Sequence, residues 1–188
     1  MNDLPELYTE RLILNRPTLH DLEDFLFHIN STEDYSKNLF NISFPFSPEQ
    51  AEKWLERCDL GIDSGASLRF AVREKEAGKL IGTIGLHLNQ EHQKAELGYW
   101  LGKDFWGKGY LTEALAAVLK FGFEELSLNK IYATHFLYNP GSGRVMQKAG
   151  MKFEGLQKQE YFQHGEFLDV HRYALLKEDF TFKKNLLP

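Results

Sequence analysis

A chain of 188 residues, 43% hydrophobic and 26% charged, with 15 Phe, 8 Tyr and 3 Trp, has the size and composition of one domain with one sizeable core, which excludes a disordered or low-complexity chain. The 22 Lys and Arg against 27 Asp and Glu give a net charge of -5, a field that disfavours nucleic acid as a partner. A lone Cys58 excludes an internal disulfide and a cysteine metal site, and no apolar run approaches the roughly 18 residues of a membrane span. The opening Met1-Asn2-Asp3-Leu4-Pro5-Glu6 lacks the basic and apolar regions of a secretory signal, so a cytoplasmic protein without membrane attachment is expected.

Residues 9–16 read as a first strand, with Leu12 and Leu14 alternating with polar positions, closed by Pro17. Thr18 is the expected N-cap of a helix over 19–28, with Asp21 completing a partial capping box. Residues 30–47 are turn-rich and Phe-rich. Ser47 then caps a helix with Pro48 at its first position, ending near Gly61. Strands are expected over 68–72 and 80–88, joined by a turn at Glu76-Ala77-Gly78-Lys79, and over 94–101, where Gly98 predicts a bulge or bend. A helix follows from Tyr110 to about Leu126, its small residues suited to close packing on a sheet, then a strand over 130–136. Asn139-Pro140-Gly141-Ser142-Gly143 opens a short helix ending at Gly150, and two last strands, 153–162 and 167–175, meet at His164-Gly165. Without a repeat or linker, residues 1–188 form a single domain of mixed α/β or α+β class.

Gly107 and Gly109, between a strand and a helix, would let backbone N–H groups converge on an anion at the helix N-terminus. The run Gly102 to Gly109 has the spacing of a P-loop, but Gly109 stands where the magnesium-holding Ser or Thr belongs. A dinucleotide fingerprint fails as well, because no third glycine follows at the required place. From spacing alone, glycines that merely turn the chain compete with a phosphate cradle.

Lys94-Ala-Glu-Leu-Gly-Tyr-Trp-Leu101, Trp106-Gly-Lys-Gly-Tyr-Leu-Thr-Glu-Ala114 and Asn139-x-x-Ser142 followed by Lys148-Ala-Gly-Met151 resemble the GCN5-related N-acetyltransferases, in the ribosomal-protein N-terminal acetyltransferase (RimJ/RimL-like) branch. The opening Thr9-Glu-Arg-Leu-Ile-Leu14 fits that branch, and the resemblance spans roughly residues 9–178. It implies an acyl-CoA N-acyltransferase fold, a mostly antiparallel central sheet flanked by helices and splayed at a cofactor cleft. It implies acetyl-CoA as cosubstrate, its pyrophosphate held by backbone N–H groups of Trp106, Gly107, Lys108, Gly109, Tyr110, Leu111 and Thr112. Trp106 stands at the family's usual Gln or Arg position, and Leu111 replaces a small residue. Tyr99, Trp100 and Leu101 would run beside pantetheine, with Asn139 bonding the cofactor arm and Ser142 near the departing sulfur. A loop capping its own helix is the competing role for Asn139 and Ser142.

Acetyl transfer needs a neutral amine, an oxyanion donor and a proton for the leaving thiolate. The resemblance makes Glu96 the first candidate base, and Glu160 the second, although a register slip of one residue would put Tyr161 there. Ser142 is the first candidate proton donor and Tyr138 its rival. The seven histidines show no metal-ligand spacing, no Gly-x-Ser-x-Gly elbow is present, and Cys58 reads as core. No metal is therefore expected, and direct transfer in a ternary complex is favoured over an acetyl-cysteine. Phe40, Phe44 and Phe46 could wall the acceptor pocket, pack in the core, or meet a second copy of the chain in a homodimer. The expected acceptor is a protein or peptide N-terminal α-amine. A small amine (polyamine, amino acid or antibiotic) and a non-catalytic acetyl-CoA-binding module are the alternatives.

Overall fold

The structure, a computed structural model, describes residues 4–40 and 42–180. One eight-stranded sheet runs in the order β1-β2-β3-β4-β5-β6-β8-β7. Its strands are β1 (Leu7–Tyr8), β2 (Leu12–Asn15), β3 (Ser67–Glu74), β4 (Leu80–Asn89), β5 (Lys94–Leu101), β6 (Lys130–Phe136), β7 (Lys152–Gln163) and β8 (Glu166–Leu176). Neighbours are antiparallel except β5 and β6, as the expected mostly antiparallel sheet requires.

Helices that cover the two faces are α1 (Leu22–Ile29), α2 (Asp34–Asn38), α3 (Pro48–Ser64), α4 (Tyr110–Glu124) and α5 (Pro140–Lys148). The pleat divides the core. Phe70, Ile84, Leu86 and Ile131 point to the side of α4, where they meet Leu115 and Phe123. Ala71 and Trp100 point the other way, onto Phe25 of α1 and Ala51 of α3. On the first side Gly122 permits close approach, because a Cβ there would lie 2.6 Å from Ile131 Cδ1.

Several boundaries differ from the sequence expectation. The predicted first strand breaks at Thr9, whose Oγ1 accepts from Leu12 N–H at 2.9 Å and turns the chain between β1 and β2. The first turn of the 19–28 helix is a 3-10 turn over Leu19–Asp21. Helix α2 has five residues, too few for a periodic signal. Helix α3 runs past Gly61 to Gly65, whose φ of 68° terminates it. Gly61 instead packs on β3, where an added Cβ would lie 3.1 Å from Ser67 Cβ. Gly98 makes no bulge against β4: the register is unbroken from Gly82↔Leu101 to Asn89↔Lys94. The irregularity lies on the other edge of β5, where pairing with β6 stops at Glu96↔Tyr132.

Candidate active site

Beyond Glu96 the parallel neighbours β5 and β6 separate, so residues 97–101 have no strand partner on that edge. Main-chain groups facing the gap need partners from elsewhere, which is what an extended, amide-bearing ligand arm can supply. A cleft of about 1000 Å³ opens there and is lined from both faces of the sheet.

The glycine loop closes one end of the cleft. Gly107 (φ 75°) and Gly109 (φ 83°) take left-handed backbone, and Gly109 caps α4 without a side chain. The bond from Glu113 N–H to Gly109 O, 3.1 Å, starts the helix, and the N–H groups of residues 110–112 precede it. A Cβ on Gly107 would meet nothing within 4 Å, so the cradle is open on that side. These features fit a pyrophosphate, whose oxygens accept from backbone N–H groups and gain from the helix dipole. Leu111 does not displace the helix; it is half-buried against the core, and with Thr112 it lines the cleft.

Trp106 and Lys108 play parts that the resemblance did not imply. The Trp106 indole N–H donates to Leu101 O at 2.6 Å, pinning the loop to the end of β5. The same carbonyl accepts from Tyr35 OH at 2.8 Å, so Leu101 O is already committed within the chain. Lys108 is exposed and outside the cleft lining, and its carbonyl accepts from Arg11 Nη1 at 3.0 Å. Arg11 also binds Glu113 through Nε at 2.7 Å and its own N–H at 2.8 Å, while Thr9 Oγ1 donates to the same carboxylate at 2.5 Å. Burial alone would raise the Glu113 carboxyl, but the bonds from Thr9 and Arg11 outweigh it and hold the group below its ordinary value. The Thr9-Glu10-Arg11 run thus braces the glycine loop from about a hundred residues away in sequence.

Across the splay, the Tyr99 and Ser142 hydroxyls are 2.8 Å apart, and Tyr99 OH also reaches Ser142 O at 3.2 Å. Burial pushes the Tyr99 phenol up, so it keeps its proton and serves as a donor. Asn139 Oδ1 caps α5 by accepting from Ser142 N–H at 3.3 Å, which leaves its amide N–H groups for a ligand. Trp100 turns its buried indole onto Phe25, 5.4 Å between ring centroids, and its N–H is without a hydrogen-bond partner.

On the opposite face Glu96 stands where β5 leaves β6. Its Oε1 accepts from Tyr161 OH at 3.2 Å, and Tyr161 lies 3.5 Å from Thr134 Oγ1. Burial, reinforced by Glu96, pushes the Tyr161 phenol up and keeps it a donor. Tyr161 rather than Glu160 faces the cleft, because left-handed Gln159 (φ 52°) and a register shift between Gln157 and Tyr161 turn Glu160 out to solvent. Tyr138 is likewise displaced from the proton-donor role: it stacks on Phe136 and donates to Lys37 O at 2.6 Å, outside the cleft lining. The three Phe candidates divide. Phe40 lines the cleft 4.5 Å from the Tyr161 ring, Phe46 is buried in the core, and Phe44 is exposed outside the lining. Gln163 Nε2 donates to Ser36 O at 2.9 Å, so the β7–β8 hairpin and α2 roof this end.

Residues 11–152 match the family described as Acetyltransferase (GNAT) domain. The chain is 35% identical over 178 residues to the uncharacterized N-acetyltransferase p20 of Bacillus licheniformis, covering 93% of this chain and 98% of the relative. It is 37% identical over 108 residues to the putative ribosomal N-acetyltransferase YdaF of Bacillus subtilis, covering 57% and 59%. It is 26% identical over 157 residues to the spermidine N(1)-acetyltransferase of Vibrio cholerae, covering 83% and 88%. Among solved structures, a GNAT-family acetyltransferase from Bacillus anthracis superposes with a TM-score of 0.82 at 28% identity, covering 93% of this chain and 99% of that one.

Proposed function

Given that the chain belongs to the GNAT acetyltransferase family and is an acetyl-CoA-dependent N-acetyltransferase, we propose that its acceptor is an N-terminal α-amine of a protein or peptide in the cytoplasm. The observation that carries this reading is the basic group on offer. Asp34 and Glu96 are the only carboxylates lining the cleft among the described residues, and Glu96 alone stands at the splay, held by a neutral phenol. At pH 7 an α-amine of pKa near 7.7–8.0 costs about 1 kcal/mol to deprotonate, and a lysine ε-amine near 10.4 costs about 4–5 kcal/mol. One carboxylate among hydroxyls suits the first task.

In this reading the N–H groups of Gly107 and of residues 109–112 hold the pyrophosphate, and the unpaired edge of β5 with the Asn139 amide aligns the pantetheine arm. Acetyl-CoA supplies an acetyl thioester; nitrogen forms the new bond to its carbonyl carbon and the carbon–sulfur bond breaks. Glu96 takes the amine proton, directly or through one water, and Ser142, backed by Tyr99, donates to the departing sulfur. The name of YdaF speaks for a ribosomal acceptor of that relative, and the Thr9 to Leu14 run of this chain supports the same branch. The roof formed by α2 and the β7–β8 hairpin favours a second reading, a small amine, of which spermidine is the example among the relatives.

The test is CoA-thiol release from acetyl-CoA with free-α-amine peptides, their N-blocked twins, and spermidine. Turnover of the free peptides alone is expected, with a loss of about a hundredfold in kcat in Glu96→Gln. Turnover of spermidine or of the blocked, lysine-bearing peptides in place of the free ones overturns the α-amine assignment.

A further inference from the structure

One wall of the cleft holds an arginine, Arg69, that has no carboxylate partner among the described residues. On the sheet face away from α4, cross-strand partners bring together Arg69 of β3, Gly85 and His87 of β4, and Glu96 and Gly98 of β5. Helix α3 covers this patch with Trp54, Arg57 and Cys58, all lining the same cleft. The Arg69 guanidinium carbon lies 5.3 Å from the Trp54 ring centroid, and Nη2 lies 3.2 Å from His87 Nε2.

Other half-buried arginines are neutralised. Arg16 faces Asp59 at 2.7 Å, Arg73 faces Asp21 at 2.5 Å, and Arg172 lies 3.8 Å from Glu154. No carboxylate among the described residues pairs with Arg69, and its only polar side-chain contact there is a histidine. The Glu96 carboxylate, cross-strand from His87 on this face, is engaged by Tyr161 OH at 3.2 Å. Burial lowers the Arg69 pKa, and burial together with the neighbouring Arg69 lowers that of His87, as expected where two cationic groups meet. Removing such a cation from water without a counter-charge is costly, and a planar guanidinium laid on an aromatic ring keeps its donor edge free for a two-oxygen acceptor. Among the described residues, the guanidinium edge of this wall meets no carboxylate.

We propose that the acceptor amine carries an anionic group, carboxylate or phosphate, and that Arg69, with His87 and Arg57 beside it, receives that group. The proposal rests on the acetyltransferase reading of the cleft. The phosphates of acetyl-CoA are not the anion in question, because α4, whose N-terminus follows the glycine loop, packs on the opposite face of the sheet from Arg69. Gly98 leaves the floor between Arg69 and the splay open, since a Cβ there would meet nothing within 4 Å. Two strand spacings separate Arg69 from Gly98, about 9–10 Å between their Cα atoms, so the anion lies some bonds from the amine. In a peptide that position corresponds to an acidic side chain within the first few residues, whereas a polyamine would bring its second cation against Arg57 and Arg69.

The experiment compares acceptor pairs differing only in the anion: a peptide beginning Ala-Glu-Glu against Ala-Gln-Gln, and 4-aminobutyrate against butylamine. Wild-type protein should favour the acidic peptide about tenfold or more in kcat/KM, chiefly through KM. Arg69→Gln should erase the preference and Arg69→Lys should keep part of it, with the KM for acetyl-CoA unmoved. Each preference is a ratio within one preparation, so a partly unfolded variant does not distort it. Peptide twins acetylated equally by wild type, or losing rate equally in Arg69→Gln, overturn the anion site while leaving the α-amine reading in place. Failure of every peptide, with 4-aminobutyrate outrunning butylamine only when Arg69 is present, overturns the α-amine reading and supports the anion site.

Discussion

Glu113→Gln tests the brace behind the glycine loop. The carboxylate accepts from Thr9 Oγ1, Arg11 N–H, Arg11 Nε and Arg11 Nη2, all between 2.5 and 2.8 Å. The amide keeps one oxygen but turns an NH2 towards donors that need an acceptor. Charge-assisted bonds contribute about 1.5–3 kcal/mol each when protected, but the Arg11 side chain is 41% exposed and Glu113 18% exposed. Solvent screening discounts the total to about 1–2 kcal/mol. For a chain of this size that lowers the Tm by roughly 2–8 °C. Losing the carboxylate also frees Arg11 from Lys108 O, so the glycine loop loosens and the KM for acetyl-CoA should rise about three- to tenfold, with the acceptor KM unchanged.

The pH dependence has a definite sign. The Glu113 carboxyl is depressed in the folded protein, so its stabilisation is fully present above its unfolded value, near 4.3, and is lost as pH falls through the lower folded value. The stability gap between wild type and Glu113→Gln should be constant from pH 6 to 8 and should close in acid below about pH 4. Thermal melts across pH and steady-state kinetics with varied acetyl-CoA read both effects. A lowered Tm with an unchanged KM for acetyl-CoA would falsify the link between brace and loop.

Asp21→Asn leaves Arg73 half-buried with its partner charge gone; Asp21 is 3% and Arg73 14% exposed, so unfolding in denaturant should show a loss of about 3 kcal/mol, and a loss under 1 kcal/mol refutes the pairing's importance. Gly98→Val adds bulk where the backbone meets only open space, so stability should move by no more than about 0.5 kcal/mol while the acceptor KM rises; an unchanged acceptor KM removes Gly98 from the pocket floor.

Local chemistry was legible in the sequence to the extent that it stayed local. Ser47 with Pro48 marked the start of α3, Asp21 completed the box with Thr18, and the Gly107 and Gly109 spacing located a loop with left-handed backbone at both glycines. Such features depend on residues within a turn of one another, and backbone donors tolerate side-chain changes such as Trp106 and Leu111. The alternation of β5 likewise put Glu96 and Tyr99 on opposite faces, which the structure resolves into the Tyr161-bonded carboxylate and the Ser142-bonded phenol.

What escaped was decided by pairs far apart in the chain. Asp21 as an ion-pair partner needed Arg73, the role of Arg11 needed Glu113, and the choice of Tyr161 over Glu160 turned on one left-handed residue in β7. Arg69 gave no signal, since an arginine in a strand reads the same whether or not a carboxylate faces it. The sequence by itself determined the class of fold and the place of the glycine loop, because these follow from periodicity, caps and spacing, and its resemblance to the GNAT family carried the transfer chemistry. Only the tertiary structure decided which charges are neutralised and which aromatics line the cleft, because counter-ions and pocket walls come from strands and helices that meet only after the sheet has formed.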